Sequence, residues 1–364
     1  MVQERWLIGV MSGTSADGVD AALVRIEGRG LQMRADLVDW VSEPYPSSLR
    51  QLILQVREQG QTSLAELGML GAKVSDVYAR TVLQLLEKTK VKSKEVSAAA
   101  CHGQTLFHVP PLSIQWLDPA RIAQQIGIDV ISDFRRADLA VGGQGAPLVP
   151  FADWVLFRSD DRDRVILNLG GIANITILPR GSDLDHVQGF DTGPANCISD
   201  WLMKDRGGLD EGGRIALSGK PDPHTLEQLM ADAYFARPGP KSTDGPEMIG
   251  IWKRCVRKQL GLEDKLATAA KWVATSIQHA IQPLSNPELI VAGGGIQNSA
   301  IMQHLKGAIP AEFVGIPSQA RESIAFAILG CATLDRVCAN LPAVTGANRR
   351  VVLGAIYPAT GSYV

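Results

Sequence analysis

The sequence predicts an α/β protein built from two related domains. Two glycine-tipped β-hairpins are legible, one turning near residue 13 and one near residue 170, and each is followed by helix and strand patterns. The chain of 364 residues is long for one ordinary domain and has room for two cores. No short-period repeat is present, so a solenoid is not suggested.

The elements follow in order. Residues 6–11 read as a buried strand, 12–18 as a long polar turn, and 19–26 as the returning strand, with 37–41 as a third. Apolar spacing near 3.6 predicts helices over 47–58 and 63–88. Short apolar runs at 96–100 and 128–132 read as strands, with a helix over 120–126 between them. The pattern then restarts with strands at 164–169 and 172–178 around Gly170-Gly171, and another at 187–190. Helices are expected over 226–236, 266–281, 299–306 and 322–339, and strands over 289–292 and 312–315.

Composition excludes several classes. Lys plus Arg total 36 against 38 Asp plus Glu, a net charge of -2, which favours neither nucleic acid nor a membrane surface as partner. The 45% hydrophobic content is enough to build cores and argues against disorder. Five scattered cysteines without a CxxC pair suggest neither a disulfide framework nor a zinc cage, and fit a reducing cytoplasm. Residues 7–11 are too short a run for a signal segment, and no run of 18 apolar residues exists. HExxH, GxSxG, GxGxxG and the Walker P-loop are all missing, which weighs against metalloprotease, serine hydrolase, Rossmann dehydrogenase and P-loop chemistry.

Glycine-rich turns carry the remaining signal. The tip Gly13-Thr14-Ser15-Ala16-Asp17-Gly18-Val19-Asp20 concentrates small residues, hydroxyls and carboxylates, the composition of a phosphate cradle with a carboxylate for Mg²⁺ through water. An ordinary polar hairpin loop fits the same residues. Gly170, Gly171 and Asn174 lie at the second turn, which alone reads as a tight hairpin. Gly293, Gly294 and Gly295 follow a strand and precede Asn298 and a helix, a place for an anion or for close strand–helix packing. Asp191, inside a glycine turn, suits a general base or a helix cap. Residues 133–147 mix Arg135, Arg136 and Gln144 in a flexible stretch, suited to a carboxylate ligand or to a salt-bridge network. Glu322 opens the last long helix, where dipole capping is the plain reading.

Together these blocks resemble the anhydro-N-acetylmuramic acid kinase family. The matching pieces are 9–20 (GVMSGTSADGVD), 102–105 (HGQT), 133–138 (DFRRAD), 142–150 (GGQGAPLVP), 168–174 (NLGGIAN), 189–196 (GFDTGPAN), 240–243 (PKST), 293–295 (GGG) and Asn298. They run in family order along essentially the whole chain. The resemblance implies the actin, hexokinase and Hsp70-type fold, two RNase-H-like domains with an interdomain ATP cleft, here expected as 1–132 plus 344–364 and as 133–343. It implies hydrolysis of a 1,6-anhydro bond coupled to phosphorylation of O6, with ATP and Mg²⁺, in cell-wall recycling. Asp191 matches the catalytic base. Residues 13–20, Gly170, Gly171, Asn174, Gly293 to Gly295 and Asn298 match the ATP-binding segments, with Asp17 and Asp20 near the metal. Gln104, Arg136, Gln144 and Glu322 match positions near the sugar, and either Arg135 or Arg136 is a partner for its lactyl carboxylate. A homodimer is implied as well. The sequence departs from the family where Asp244 follows Thr243 and where Asp153 replaces a common histidine. A levoglucosan-type kinase, a kinase of an open sugar and a non-catalytic ATP-binding module are the rival readings.

Overall fold

The computed structural model describes residues 4–181 and 183–359, in two compact units. Unit 1 holds Met1–Leu156 and Gln319–Val364, and unit 2 holds Phe157–Ser318.

In unit 1, β1 (Glu4–Met11), β2 (Gly18–Glu27) and β3 (Arg34–Pro44) form an antiparallel meander. β4 (Val96–His102) runs parallel to β1. A separate hairpin, β5 (Gln104–Val109) with β6 (Leu112–Trp116), follows. β7 (Val130–Ser132) is parallel to β4, and the strand Ala355–Tyr357 closes the sheet antiparallel to β7. Along β1, successive side chains point to opposite faces. Ile8 and Val10 join the cluster that includes Val74 and Tyr78 of the helix Leu64–Thr89. A capping box from Ser63 and Glu66 starts that helix where its apolar periodicity begins.

The opposite face is covered by the helix Arg321–Leu334, buried without interruption from Ser323 to Thr333. It lies almost on the sheet backbone. A Cβ at Gly9 would stand 1.8 Å from the Ser323 carbonyl oxygen, and one at Gly330 would stand 2.6 Å from the Ala100 Cβ. Asp138, fully buried, accepts from Asn340, Thr345 and the Gly145 N–H. These contacts tie residues 133–156 and 319–343 to unit 1, whereas the sequence reading assigned them to the second domain. Positions 1–3, 182 and 360–364 of the expected boundaries lie outside the described residues.

Unit 2 repeats the plan. β8 (Arg164–Leu169), β9 (Ile172–Leu178) and β10 (Gln188–Pro194) form an antiparallel meander. β11 (Glu288–Ala292) runs parallel to β8, and β12 (Ile309–Pro310) runs parallel to β11. Val165, Leu167 and Ile175 pack with Ala270, Val273 and Ile277 of the helix Leu262–Ile281. Within each unit the order is third, second, first, fourth, fifth strand, antiparallel for three and parallel for two. That is the RNase-H-like arrangement, present twice.

Some expected elements differ. The strand expected over 312–315 is the 3-10 turn Ala311–Val314, ended by Gly315 at φ +83°; the pairing falls on Ile309 and Pro310 instead. The helix expected over 226–236 is broken into Pro223–Met230 and Ala233–Ala236, the second capped by Asp232. The helix expected to reach 339 stops at Leu334, and Arg336 takes a left-handed φ of +55°.

Gly9→Ala puts a methyl group against a helix backbone that cannot yield. The expected loss is about 3 kcal/mol or failure to fold, read from denaturant midpoints. Gly294→Ala, with nothing within 4 Å, is expected to stay within about 0.5 kcal/mol of the parent.

Candidate active site

In unit 1 the tip between β1 and β2 has a consistent polarity. The Gly13 carbonyl accepts from Ala16 N–H and from Gln104 Nε2. Arg57 donates to the Thr14 carbonyl, Arg50 to the Ser15 carbonyl at 3.5 Å, and Tyr45 N–H to the Asp17 carbonyl. The N–H groups of Gly13, Thr14, Ser15 and Asp17 have no acceptor among the described residues. Their carbonyls face protein and their amides stay available, the arrangement of an anion nest. Side chains at the tip divide between roles. Ala16 and Val19 are buried, and a Cβ at Gly18 would meet the Glu43 carbonyl oxygen at 2.4 Å, so these three build the hairpin. Thr14 and Ser15 are exposed.

The two acids of the tip are not equivalent. Asp17 is exposed and paired with Arg50 at 2.9 Å. Asp20 is half-buried, and desolvation raises its carboxyl above the ordinary aspartate range against one hydrogen bond from Ser42. Among the described residues no group of three His, Cys, Asp or Glu could hold a metal directly. Asp20 suits a cation held through water, and Asp17, already neutralised, does not.

Beyond the tip, Gln104 is fully buried and spends its amide on Gly13 and on the Ser12 hydroxyl, so it holds the tip in shape. The next residues of interest surround His102. Its Nδ1–H donates to the Gly103 carbonyl, which leaves Nε2 to accept from Arg135 Nε at 3.0 Å. Burial, with Arg135 nearby, pushes this imidazole well below its usual range, so it stays neutral. Arg135 Nη1 also donates to the Gly145 carbonyl at 2.7 Å. Burial lowers this guanidinium to about 10, and the charge of Glu322 opposes that. Arg136 points elsewhere. It is exposed and pairs with Asp133 three residues back. Gln144 is exposed, and its backbone N–H is bonded to the Thr345 carbonyl.

Glu322 sits in the first turn of the buried helix, next to Arg321, whose guanidinium grips the buried Asp153 at 2.8 Å. Glu322 touches solvent, yet the protein around it desolvates its carboxyl and raises it above the ordinary glutamate range. Arg321 and Arg135 pull it down, and Asp20 pushes it up. No side-chain bond caps this helix, and Glu322 lies in its first turn, where the helix dipole favours a carboxylate.

In unit 2, Asp191 lies in β10 at a β-bulge, opposite Asn174 of β9. The bulge is completed by Gly193 at φ +148°. Asp191 is held on three sides by the segment that follows. Its N–H donates to the Lys241 carbonyl, its carbonyl accepts from the Tyr234 hydroxyl at 2.7 Å, and its Oδ2 accepts from Thr243 N–H at 3.0 Å. Oδ1 has no donor among the described residues. Desolvation raises the carboxyl above the ordinary aspartate range, and the Thr243 bond works against it. Tyr234, Lys241 and Thr243 have no signal of their own in the sequence beyond the block 240–243.

The glycine turns of unit 2 have mixed roles. The Gly170 and Gly171 carbonyls accept from Ala195, Asn196 and Cys197 N–H, joining the turn to the end of β10. A Cβ at Gly171 would meet nothing within 4 Å. Gly293, at φ +90°, and Gly295 would meet Leu169 with a Cβ at 2.7 and 2.6 Å, so they are packing glycines, while Gly294 is open. The expected helix beyond them is only Ser299–Met302, capped by the Asn298 side chain, which accepts from Ala300 N–H at 3.1 Å. Asn298 thus serves the turn through its oxygen.

The raised Glu322 carboxyl gives a stability test. Its folded-state pKa lies above its unfolded one, so its contribution is present at low pH and is lost as pH rises through the folded value. Glu322→Gln, which cannot ionise, is expected to melt higher than the parent at pH 7. The two should melt together at pH 4, where the parent's carboxyl is protonated, as followed by thermal denaturation.

The sequence model of the anhydro-N-acetylmuramic acid kinase family matches residues 5–359. Anhydro-N-acetylmuramic acid kinase of Saccharophagus degradans is 40% identical, over 96% of this chain and 98% of its own. The Shewanella oneidensis protein of the same name is 40% identical, over 98% and 100%. That of Salinibacter ruber is 37% identical, over 97% and 96%. The motifs quoted from the sequence and this match along nearly the whole length agree, and the chain belongs to the anhydro-N-acetylmuramic acid kinase family.

Proposed function

We propose that the protein is an ATP-dependent kinase that opens the 1,6-anhydro bond of anhydro-N-acetylmuramic acid and phosphorylates O6, giving N-acetylmuramate 6-phosphate and ADP. Asp191 carries this reading. A plain kinase of an open sugar needs no base for water, whereas Asp191 is held rigidly with one carboxylate oxygen unengaged and with its basicity raised. In the proposed reaction Oδ1 takes a proton from water while the water oxygen bonds to C1. The C1–O6 bond breaks, and its electron pair on O6 attacks the γ-phosphorus. The bond from that phosphorus to the β-γ bridging oxygen breaks, and ADP leaves.

The free amides of the unit 1 tip support phosphate binding, together with the Thr14 and Ser15 hydroxyls. In unit 2, Gly171 and Gly294 are the turn positions with open space for a ligand to approach the backbone. Mg²⁺, held through water at Asp20, would offset phosphate charge. Glu322 and Arg135 belong with the sugar in this reading, as does the exposed Gln144. No described helix is long and apolar enough to cross a membrane. The homodimer and the cytoplasmic location remain part of the proposal.

ADP release with ATP and Mg²⁺ tests the reading on anhydro-N-acetylmuramic acid, levoglucosan and N-acetylmuramic acid offered separately. Turnover on the first supports it. Preference for levoglucosan changes the sugar, and turnover on the open sugar alone removes the hydrolytic half. Silence on all three returns the non-catalytic module. Asp191→Asn is expected to lower kcat by about 10²-fold or more with ATP affinity unchanged. Retention of most turnover would show that another group activates the water.

A further inference from the structure

Strand β10 is an edge of the unit 2 sheet, with β9 on one side and no strand on the other among the described residues. An edge strand leaves the N–H and C=O of every second residue facing outward without a ladder partner. Asp191 is such a residue, and it also stands at the bulge, where the register against β9 shifts between Asp191 and Gly193. A bulge disrupts the ladder locally. The base of the proposed reaction therefore sits where the sheet itself supplies the least support.

Residues 234–243 supply it instead. The Tyr234 hydroxyl donates to the Asp191 carbonyl at 2.7 Å, and the Asp191 N–H donates to the Lys241 carbonyl at 2.9 Å. Lys241 Nζ donates to the Tyr234 carbonyl at 3.0 Å and lies 4.6 Å from the centre of the Tyr234 ring. These bonds close a ring of three residues, from Asp191 to Tyr234 to Lys241 and back. The same segment braces the neighbours of Asp191 on the strand. A Cβ at Gly239 would stand 2.7 Å from the Phe190 ring, and one at Gly193 would stand 3.0 Å from the Phe235 ring. Tyr234 is itself fixed, being buried and having its N–H bonded to the Asp232 carboxylate at 3.0 Å. Water at a strand edge would satisfy the Asp191 carbonyl, but a hydroxyl on a buried ring also fixes where that carbonyl lies.

We infer that Tyr234 and Lys241 are positioning residues for the base, and that the ring they close with Asp191 sets the direction in which Oδ1 faces the water. The inference rests on the kinase reading above, in which Asp191 is that base. In this role neither side chain takes a proton. Both act on geometry, since a base works only within hydrogen-bond reach of the proton it removes, and a misplacement of about 1 Å can cost about 10²-fold in rate.

The test is steady-state turnover of anhydro-N-acetylmuramic acid by the full chain, read as phosphate transfer from labelled ATP with Mg²⁺ so that low rates remain measurable. Tyr234→Phe, Asp191→Asn and the double variant form the cycle. Tyr234→Phe keeps the ring and removes only the hydroxyl. It is expected to lower kcat by about 5- to 50-fold, with KM for sugar and for ATP within about 2-fold of the parent. In the Asp191→Asn background the same substitution is expected to change the remaining rate by less than about 2-fold, because the base it positions is gone. Losses that multiply, a rise in KM at unchanged kcat, or a Tyr234→Phe chain as fast as the parent would overturn the inference. Lys241→Met keeps the stem and loses the Nζ bond, and it serves if Tyr234→Phe fails to fold. Its kcat should fall by about 3-fold or more at unchanged KM, with part of the loss restored in Lys241→Arg. Parental kcat in Lys241→Met would overturn the inference. A parent that turns over no sugar, or an Asp191→Asn chain that keeps most of its turnover, fails the kinase reading itself, and that failure is visible before any Tyr234 or Lys241 variant is compared.

Discussion

The close approach of the helix Arg321–Leu334 to β1 is the constraint on which unit 1 depends. Without a side chain at Gly9, the Ser323 carbonyl reaches the strand, and Gly330 does the same for β4. The helix is apolar from Ile324 to Ala332 and buried from Ser323 to Thr333, so hydrophobic burial drives it onto the sheet and the two glycines set the distance. Its first turn then has a fixed place. Arg321 locks onto Asp153, a buried pair whose rupture by loss of one partner would cost about 3–5 kcal/mol. Glu322 is thereby held where the charges of Asp20 and Arg135 reach it. The packing glycines Gly9 and Gly330 are what assemble this set of charges.

Unit 2 uses the same device at a different place. Gly293 and Gly295 let the turn after β11 press on Leu169 at the end of β8. The third special glycine, Gly193, completes a bulge in β10 that a regular strand could not make. The bulge sets Asp191 beside the segment carrying Lys241 and Thr243, and the Lys241 carbonyl and the Tyr234 hydroxyl fix its backbone on both sides. Rigidity and raised basicity therefore come from one source, the enclosure of a short polar stretch against a β-edge.

The meanders were legible because alternation and apolar runs are local properties, and so were the long helices. The roles of individual glycines were not. In Gly293-Gly294-Gly295 the residues are identical, but two face Leu169 and one faces open space, a distinction that only the partner backbone creates. The hairpin β5–β6 escaped detection for a related reason. Phe107, Val109, Leu112 and Ile114 are exposed, the reverse of the pattern that marks a half-buried strand. Arg135 and Arg136 are sequence neighbours, and adjacent residues leave a helical turn in different directions. The sequence could name the pair but not choose, because the choice is made by His102 and Gly145 on one side and by Asp133 on the other. Domain limits failed where long-range polar contacts decide them, as Asp138 does with Asn340 and Thr345.

Why the tip of unit 1 should favour anions follows from which half of each peptide the protein consumes. A turn rich in Gly, Ser, Thr and Asp exposes N–H and C=O groups alike, and its mean potential is near neutral. Here Gln104, Arg50, Arg57 and the Tyr45 amide all donate to tip carbonyls. Each such bond screens a partial negative charge and leaves the neighbouring N–H unopposed. Arg50 and Arg57 add positive charge at the same time, with Arg50 also neutralising Asp17. The anion preference proposed for the turn thus rests less on its own residues than on the donors behind it.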